Sequence, residues 1–159
     1  MKWQILYIVI LTFLIEDSNA TEFDSTLQSP SDTLTISVLG TGIDARFEPV
    51  RLQVSAGDVL RFEVFEGLHT VTAYHPENRR PLRIPEDAKP FHSGPLSKGD
   101  VWQLTLLVEG VYDYFCLPHE LMGHAGRIVV GPLTDPPEYE NDRLPEAVIK
   151  RLKFNLESH

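Results

Sequence analysis

The middle of this chain alternates apolar and polar side chains with a period of two, and this alternation restricts the fold more than any other feature. A strand with one buried face shows this pattern, because its successive side chains point to opposite sides of a sheet. Glycine-containing turns such as Ala56-Gly57-Asp58 and Lys98-Gly99-Asp100 stand beside these runs. The pattern predicts about seven short strands with no helix between them, which is typical of an antiparallel sandwich or barrel. The predicted strands cover residues 33–38, 50–54, 60–64, 69–73, 102–106, 111–116 and 127–130.

Residues 1–20 have the pattern of a secretory signal peptide. Lys2 precedes an apolar run, and small residues stand before Thr21 at the spacing of a cleavage site. The run is too short to span a bilayer as a helix, so an uncleaved membrane anchor is the less favoured alternative. We expect an N-terminal extension over residues 21–32 and a mature protein that is periplasmic or secreted and is not embedded in a membrane.

Two segments depart from the strand pattern. Residues 74–98 contain five prolines and no clear periodicity, and loops of this length are usually functional or mobile. Residues 143–157 follow a polar, proline-rich linker and look helical. We therefore expect an all-β domain over residues 33–131 with a long proline-rich loop, then the linker and a short C-terminal helix within residues 132–159. The helix either packs on the domain or docks a partner through one apolar stripe. The stripe consists of Leu144, Val148 and Leu152.

The charge of the chain limits the kinds of partner it can bind. The formal net charge is −9 at pH 7. Acidic surfaces repel phosphate backbones and anionic lipids, which argues against nucleic acid and favours cationic partners or none. The sequence contains no phosphate-binding loop, haem-attachment motif, paired zinc-finger spacing or serine-triad signature.

The chain has a single cysteine, Cys116, within the segment CLPHELMGH. It cannot form an internal disulfide, and an exposed thiol outside the cytoplasm would oxidise. Cys116 is therefore a buried apolar side chain, a nucleophile with His119 as its base, or a metal ligand. A tight loop between two strands can direct Cys116, His119 and His124 to one point. His69 opens a predicted strand and is the best further ligand, and thiolate with imidazole suits zinc and copper.

Three segments of the sequence have a pattern typical of one protein family. They read FEPVRLQVSAGDVLRFEV, GLHTVTAYHPEN and GVYDYFCLPHELMGHAGRIVVG. Together they resemble the cupredoxins, small blue-copper proteins related to plastocyanin and pseudoazurin, over about residues 34–131. The most specific element is Y-x-Y-F-C-x-P-H, followed by a glycine-containing loop and an apolar strand. The resemblance implies a Greek-key β-sandwich with one copper ion, Cu(I) or Cu(II), and His69, Cys116 and His119 as equatorial ligands.

The resemblance also implies a docking surface for redox partner proteins. In the family, the edge of the second histidine ligand reaches the surface within an apolar patch. Ordinary loop packing is the alternative role for Leu121 and Met122. The apolar residues around His119 in sequence are Leu117, Pro118, Leu121 and Met122.

The sequence departs from the family at the fourth ligand position. The family usually has methionine five residues after the second histidine, whereas this chain has His124 there and Met122 two residues earlier. We expect His124 to bind through a ring nitrogen, which would stabilise Cu(II), lower the reduction potential and shift the colour away from intense blue. The alternative is that His124 swings out and leaves the site three-coordinate or open to water.

Two further histidines, His75 and His92, lie in the loop over residues 74–98. Each is expected at the surface. The alternatives are a second metal site with Glu77 or Glu86, or a role beside the ligands of the first site.

Three functions are compatible with a copper site of this kind. The favoured one is a soluble one-electron carrier between larger redox proteins. The second is copper storage, delivery or sensing, with copper donors and acceptors as partners. The third is catalysis at an open or histidine-rich copper. A carrier keeps copper in both oxidation states, a delivery protein releases Cu(I), and a catalyst binds an external ligand such as azide.

Overall fold

The computed structural model describes residues 31–132, 137, 139, 141 and 143–154. The predicted signal peptide and almost all of the predicted N-terminal extension lie outside the described residues. No helix in the described part of the chain is both long enough and apolar enough to cross a membrane.

Within these residues, two four-stranded sheets pack as a sandwich, and a two-stranded sheet lies beside them. In chain order the strands are β1 (Thr33–Leu39), β2 (Arg46–Glu48), β3 (Arg51–Val54), β4 (Val59–Val64), β5 (Leu68–His69), β6 (Thr72–Ala73), β7 (Leu96–Ser97), β8 (Val101–Thr105), β9 (Gly110–Phe115) and β10 (Ala125–Val130). The first sheet has the order β2-β1-β4-β8 and the second the order β3-β10-β9-β6, while β5 pairs with β7. The predicted all-β sandwich is confirmed.

The expectation of an antiparallel sandwich is wrong for two strand pairs. β1 runs parallel to β4, with Leu34 opposite Leu60, and β3 runs parallel to β10. The reason is the path of the chain, which leaves the first sheet after β2, enters the second as β3 and returns to the first as β4. Side-chain alternation reports which face of a strand is buried and carries no information about such crossovers.

Two of the strand predictions differ from the structure in detail. The strand expected over residues 69–73 is divided into β5 and β6, which belong to different sheets. β2 has no counterpart among the predicted strands, because three residues are too few to show an alternation. The long loop contains a short 3-10 helix, Pro76–Asn78, and β7.

The two large sheets enclose one apolar core. β4 alternates as predicted, with Leu60, Phe62 and Val64 buried and the residues between them partly exposed. Phe62 contacts Phe47 and Tyr114 across the core. β9 is buried on both faces after its first residue, because the long loop and the C-terminal helix cover its outer side.

A buried group of charges fastens the long loop to the outer side of the second sheet. Asp113 of β9 is fully buried and accepts hydrogen bonds from Arg83 of the loop (2.8 Å) and Arg127 of β10 (2.6 Å). Removing one partner of a buried ion pair typically costs about 3–5 kcal/mol. The loop is therefore held in place by a polar contact within the protein and not only by its prolines.

The C-terminal helix α1 (Glu146–Phe154) lies against the second sheet. Its apolar stripe is buried against Tyr74 and Phe115, so the expectation that the helix packs on the domain is confirmed. The helix begins three residues later than predicted, directly after Pro145, whose carbonyl accepts the amides of the next turn. The buried stripe consists of Leu144, which lies just before the helix, and of Val148 and Leu152 within it.

We expect Leu152→Ala to lower the free energy of unfolding by about 2–3 kcal/mol, because it removes buried methyl groups between α1 and the sheet. Lys150→Ala, on the exposed side of the same helix, is the matched control and should change it by less than about 0.5 kcal/mol. Urea unfolding followed by circular dichroism measures both. Equal effects of the two substitutions would show that the helix does not rest on the domain in solution.

Candidate metal centre

The four side chains predicted as metal ligands meet at one end of the sandwich. His69 ends β5, Cys116 directly follows β9, and His124 directly precedes β10. His119 lies in a 3-10 helix, Leu117–Met122, that joins β9 to β10. One donor atom from each residue lies within 4.8 Å of all the others. Among the described residues, this is the one such group of three or more histidine, cysteine or carboxylate side chains.

The loop between β9 and β10 is fixed by backbone hydrogen bonds. The Cys116 amide donates to the His124 carbonyl (2.9 Å), so these two residues face each other at the end of the strand pair. The His119 amide donates to the Cys116 carbonyl (3.1 Å) and closes the first turn, in which Pro118 has no amide to satisfy. Gly123 ends the 3-10 helix with a φ of 81°, a conformation that favours glycine.

The Cys116 sulfur lies close to both neighbouring imidazoles. It is 3.4 Å from His119 Nδ1 and 3.6 Å from His69 Nδ1. Donors that share a metal at bond lengths of about 2.0–2.3 Å are separated by about 3.5 Å. Burial raises the pKa of the Cys116 thiol, although the Thr70 amide, which donates to the sulfur (3.4 Å), acts in the opposite direction. A cation at this point would favour the thiolate.

A backbone carbonyl fixes the tautomer of His69, that is, which ring nitrogen carries the hydrogen. Nε2 lies 2.8 Å from the Glu66 carbonyl oxygen, which can only accept, so Nε2 carries the proton and Nδ1 keeps a free lone pair on the side of Cys116. Gly67 permits this approach, because it has a φ of 82° and a Cβ there would lie 2.7 Å from the ring. The Glu66-Gly67 turn therefore belongs to the site.

His124 is fully buried, and neither of its ring nitrogens has a hydrogen-bond partner among the described residues. The Arg46 backbone approaches the ring without reaching hydrogen-bonding geometry, and the ring packs on Phe47 with centroids 4.1 Å apart. Burial, and then the neighbouring His69 and His119, lower the pKa of His124 to about 2. A neutral imidazole with free nitrogens is what a metal ligand requires, and one thiolate with three imidazoles suits copper or zinc.

Two contacts from other segments support the ligand loop. Arg80 of the long loop forms a bidentate ion pair with Glu120 (Nε to Oε1 3.0 Å, Nη2 to Oε2 2.6 Å) and lies over the Phe115 ring. On another side, α1 approaches Gly123 so closely that a Cβ there would lie 2.9 Å from the Ala147 carbonyl oxygen. Neither contact could be predicted from the sequence, because each joins segments that are distant in the chain.

His119 is the one member of the donor group that is not fully buried. The structure also brings an exposed apolar side chain, Ile43, near the 3-10 helix that carries His119. That side chain is 79% exposed, in a short segment, Gly42–Asp44, that contacts the 3-10 helix. Nothing in the sequence pattern marks Ile43, which comes from a distant turn. Of the residues predicted to form an apolar patch, Met122 is partly buried and the exposed ones are Leu117, Pro118 and Leu121.

The two loop histidines lie outside the donor group. His75 Nδ1 accepts the Glu77 amide (3.2 Å) and caps the helix Pro76–Asn78. His92 is exposed, and its Nδ1 lies 2.9 Å from Thr72 Oγ1.

The comparisons with known proteins identify the family. A family model described as copper-binding proteins of the plastocyanin/azurin family matches residues 34–131. The chain belongs to this family. The cupredoxin resemblance is thereby confirmed, and because the donor group fits the site of these proteins, the cofactor is one copper ion.

Two solved pseudoazurins are similar to this family member. The pseudoazurin from Sinorhizobium meliloti is 26% identical with a TM-score of 0.56, over 80% of this chain and 98% of that one. The pseudoazurin from Methylobacterium extorquens AM1 is 26% identical with a TM-score of 0.51, over 65% of this chain and 79% of that one. The curated protein sequences gave no significant match.

We expect the metal-free protein to lose stability below about pH 6.5 in a way that depends on His124. The unfolded chain protonates this ring near the ordinary pKa of about 6.5, whereas the folded chain does so only near a pKa of about 2. The unfolded state therefore binds one more proton between these values. The free energy of unfolding then falls by about 1.4 kcal/mol for each pH unit lowered.

Urea unfolding of the metal-free protein between pH 7 and pH 4 measures this slope. His124→Met should reduce the slope by that amount, and His75→Gln, at an exposed helix cap, is the matched control that should retain it. An identical slope in His124→Met would contradict the burial of a neutral ring.

Proposed function

We propose that this protein is a one-electron carrier that works in the periplasm or as a secreted protein, with copper held by a thiolate and three imidazoles. The observation that carries the proposal is the donor group itself, which is buried apart from one partly exposed ring. Copper held there would supply the change between Cu(II) and Cu(I), and proteins of this family are typically electron carriers. The proposed ligands are His69, Cys116, His119 and His124.

His124 is proposed as the fourth ligand, in place of the usual methionine. Its ring is packed on Phe47, so swinging out would break that packing, while the hydrogen bond from the Cys116 amide to the His124 carbonyl holds the backbone in place. Its free ring nitrogens support the same choice. Imidazole is a stronger donor than thioether, and it would stabilise Cu(II) and lower the reduction potential.

The surroundings of the donors favour electron transfer over delivery of copper. His69 is held by the Glu66 carbonyl, the sulfur by the Thr70 amide, and the ligand loop by the Arg80–Glu120 ion pair. Such fixed donors change little in position between oxidation states, and buried ligands give an acceptor protein little access to the metal.

A redox partner would dock around the exposed edge of His119. The exposed apolar side chains there include Leu121 and Ile43, and contiguous apolar surface is typical of interaction sites. The net charge of −9 favours a cationic partner, whose association would weaken as salt is added. The proposed docking surface consists of Leu117, Pro118, Leu121 and Met122, together with Ile43.

We expect the purified protein to bind one copper per chain and Cys116→Ser to weaken binding more than about 100-fold, with loss of the thiolate-to-copper absorption. His124→Met should raise the reduction potential and intensify the blue band, because a weak thioether replaces an imidazole. Metal analysis, optical and paramagnetic-resonance spectra and voltammetry give these values.

Failure to bind copper one to one would overturn the proposal, and an unchanged spectrum in His124→Met would remove the fourth ligand from it. Rapid transfer of Cu(I) to an acceptor would favour copper delivery, and binding of azide would favour catalysis.

We expect Leu121→Lys to slow electron self-exchange between two copies about tenfold, because a charged side chain disrupts the apolar contact around His119. Leu107→Lys is the matched control, since Leu107 is 76% exposed and lies just before β9, at the end opposite Cys116. Both substitutions change the net charge equally. Line broadening in mixtures of reduced and oxidised protein measures the rate, and equal rates in the two variants would place docking elsewhere.

A further inference from the structure

A chain of hydrogen bonds leads from the metal site to the surface. The Leu117 amide donates to Thr70 Oγ1 (2.9 Å), which lies 3.0 Å from Thr72 Oγ1. Thr72 Oγ1 lies 2.9 Å from Nδ1 of His92, which is exposed. Thr70 also donates its amide to the Cys116 sulfur. The two threonines thus connect a surface imidazole with the immediate surroundings of the thiol.

The backbone holds His92 in this position. The amide of Ala73 donates to the carbonyl of Phe91 (3.0 Å), and the amide of Ser93 donates to the carbonyl of Val71 (3.0 Å). His92 is therefore paired with the β6 region and does not move freely with the long loop. Both threonines are buried, so water does not compete strongly for their hydroxyls.

The direction of these hydrogen bonds depends on the charge of His92. An amide can only donate, so Thr70 Oγ1 accepts from Leu117. When His92 is neutral with its proton on Nε2, the Thr70 hydroxyl donates to Thr72, and the Thr72 hydroxyl donates to His92 Nδ1. Every hydroxyl hydrogen then points outward, away from Cys116.

A protonated His92 reverses this order. Both ring nitrogens are then donors, so Thr72 accepts from His92 and turns its own hydrogen towards Thr70. Thr70 Oγ1 then accepts from two donors, and its hydrogen needs another acceptor. Thr70 also contacts the Cys116 sulfur through its own backbone amide (3.4 Å), so the change reaches a residue that is bonded to the sulfur. Protonation therefore changes the hydrogen bonding of Thr70, the residue whose amide bonds to the Cys116 sulfur.

We propose that His92 is a positioning residue for the metal site, which acts through Thr72 and Thr70 on Cys116, so that protonation of its ring raises the reduction potential. This inference rests on the proposed role of Cys116 as a copper ligand. A positive charge near the site stabilises the reduced form, whose metal carries one positive charge less, so protonation of His92 raises the potential.

Three charged side chains lie beside His92. They line a groove of about 340 Å³ beside it and comprise Glu77, Arg79 and Arg80. Arg80 is itself paired with Glu120.

The first experiment needs no copper. In the metal-free protein, nuclear magnetic resonance follows the His92 ring and the Leu117 amide as the pH changes. We expect the two to titrate together, the amide to stop following the ring in Thr72→Val, and Thr72→Ser to restore the link. The hydrogen-bond chain would be overturned if the chemical shift of the Leu117 amide did not change with pH, or if it still followed the His92 ring in Thr72→Val.

The second experiment uses the copper-loaded protein. Voltammetry across pH should show a higher potential at low pH, with a proton bound about fivefold more tightly in the Cu(I) form. This corresponds to about 40 mV. His92→Gln should remove this part of the pH dependence, and the control His75→Gln should retain it. The redox coupling would be overturned if the Leu117 amide followed His92 in the first experiment but the reduction potential depended on pH equally in His92→Gln and the wild type. Failure to bind copper would overturn the proposed function. The first experiment would still decide whether the chain of hydrogen bonds from His92 to Leu117 exists.

Discussion

The pairing of β9 with β10 is the interaction on which the site depends. The last registered pair joins Phe115 to Ala125, and the next contact is the hydrogen bond from the Cys116 amide to the His124 carbonyl. The connection between them is a 3-10 helix, in which side chains three residues apart lie on the same side. This geometry explains the C-x-x-H spacing, since Cys116 and His119 can face one point only if the turn is this tight. The strand pair therefore brings together three of the four donors before any contact with His69.

The same geometry is unfavourable without a metal. Burial raises the pKa of the Cys116 thiol, and His124 is buried with two ring nitrogens that have no partner within the described part of the chain. Buried polar groups without partners usually cost about 1–3 kcal/mol each. The core of the sandwich must offset this cost, and metal binding would remove it, because binding to a preformed site adds to the stability of the fold. A site of this kind is held in place by the surrounding fold and does not depend on the ion for its shape.

The sequence predicted the local features of the fold and the site, and it did not predict those that depend on distant contacts. Alternation located most strands, and helical spacing identified the buried stripe of α1. The four donors were found because three of them lie within nine residues of one another and His69 belongs to a recognisable motif. The parallel pairs and Ile43 were missed, because each depends on how the chain crosses between sheets or folds back at its turns. The Arg80–Glu120 pair was missed for the same reason, since it joins residues from two separate loops.

The segments that looked like additions to the sandwich converge on the ligand loop. The long loop contributes Arg80, which pairs with Glu120 next to His119, and it contributes His92, which bonds to Thr72. The helix α1, outside the residues that the family model matches, packs against Gly123 directly before His124. A strand pair alone would leave a nine-residue turn free to move, and the donor distances would vary with it. Supports on separate sides limit that movement, which in a one-electron carrier keeps the geometry similar in the two oxidation states. The long loop and the helix are therefore best understood as part of the copper site, although neither contributes a ligand.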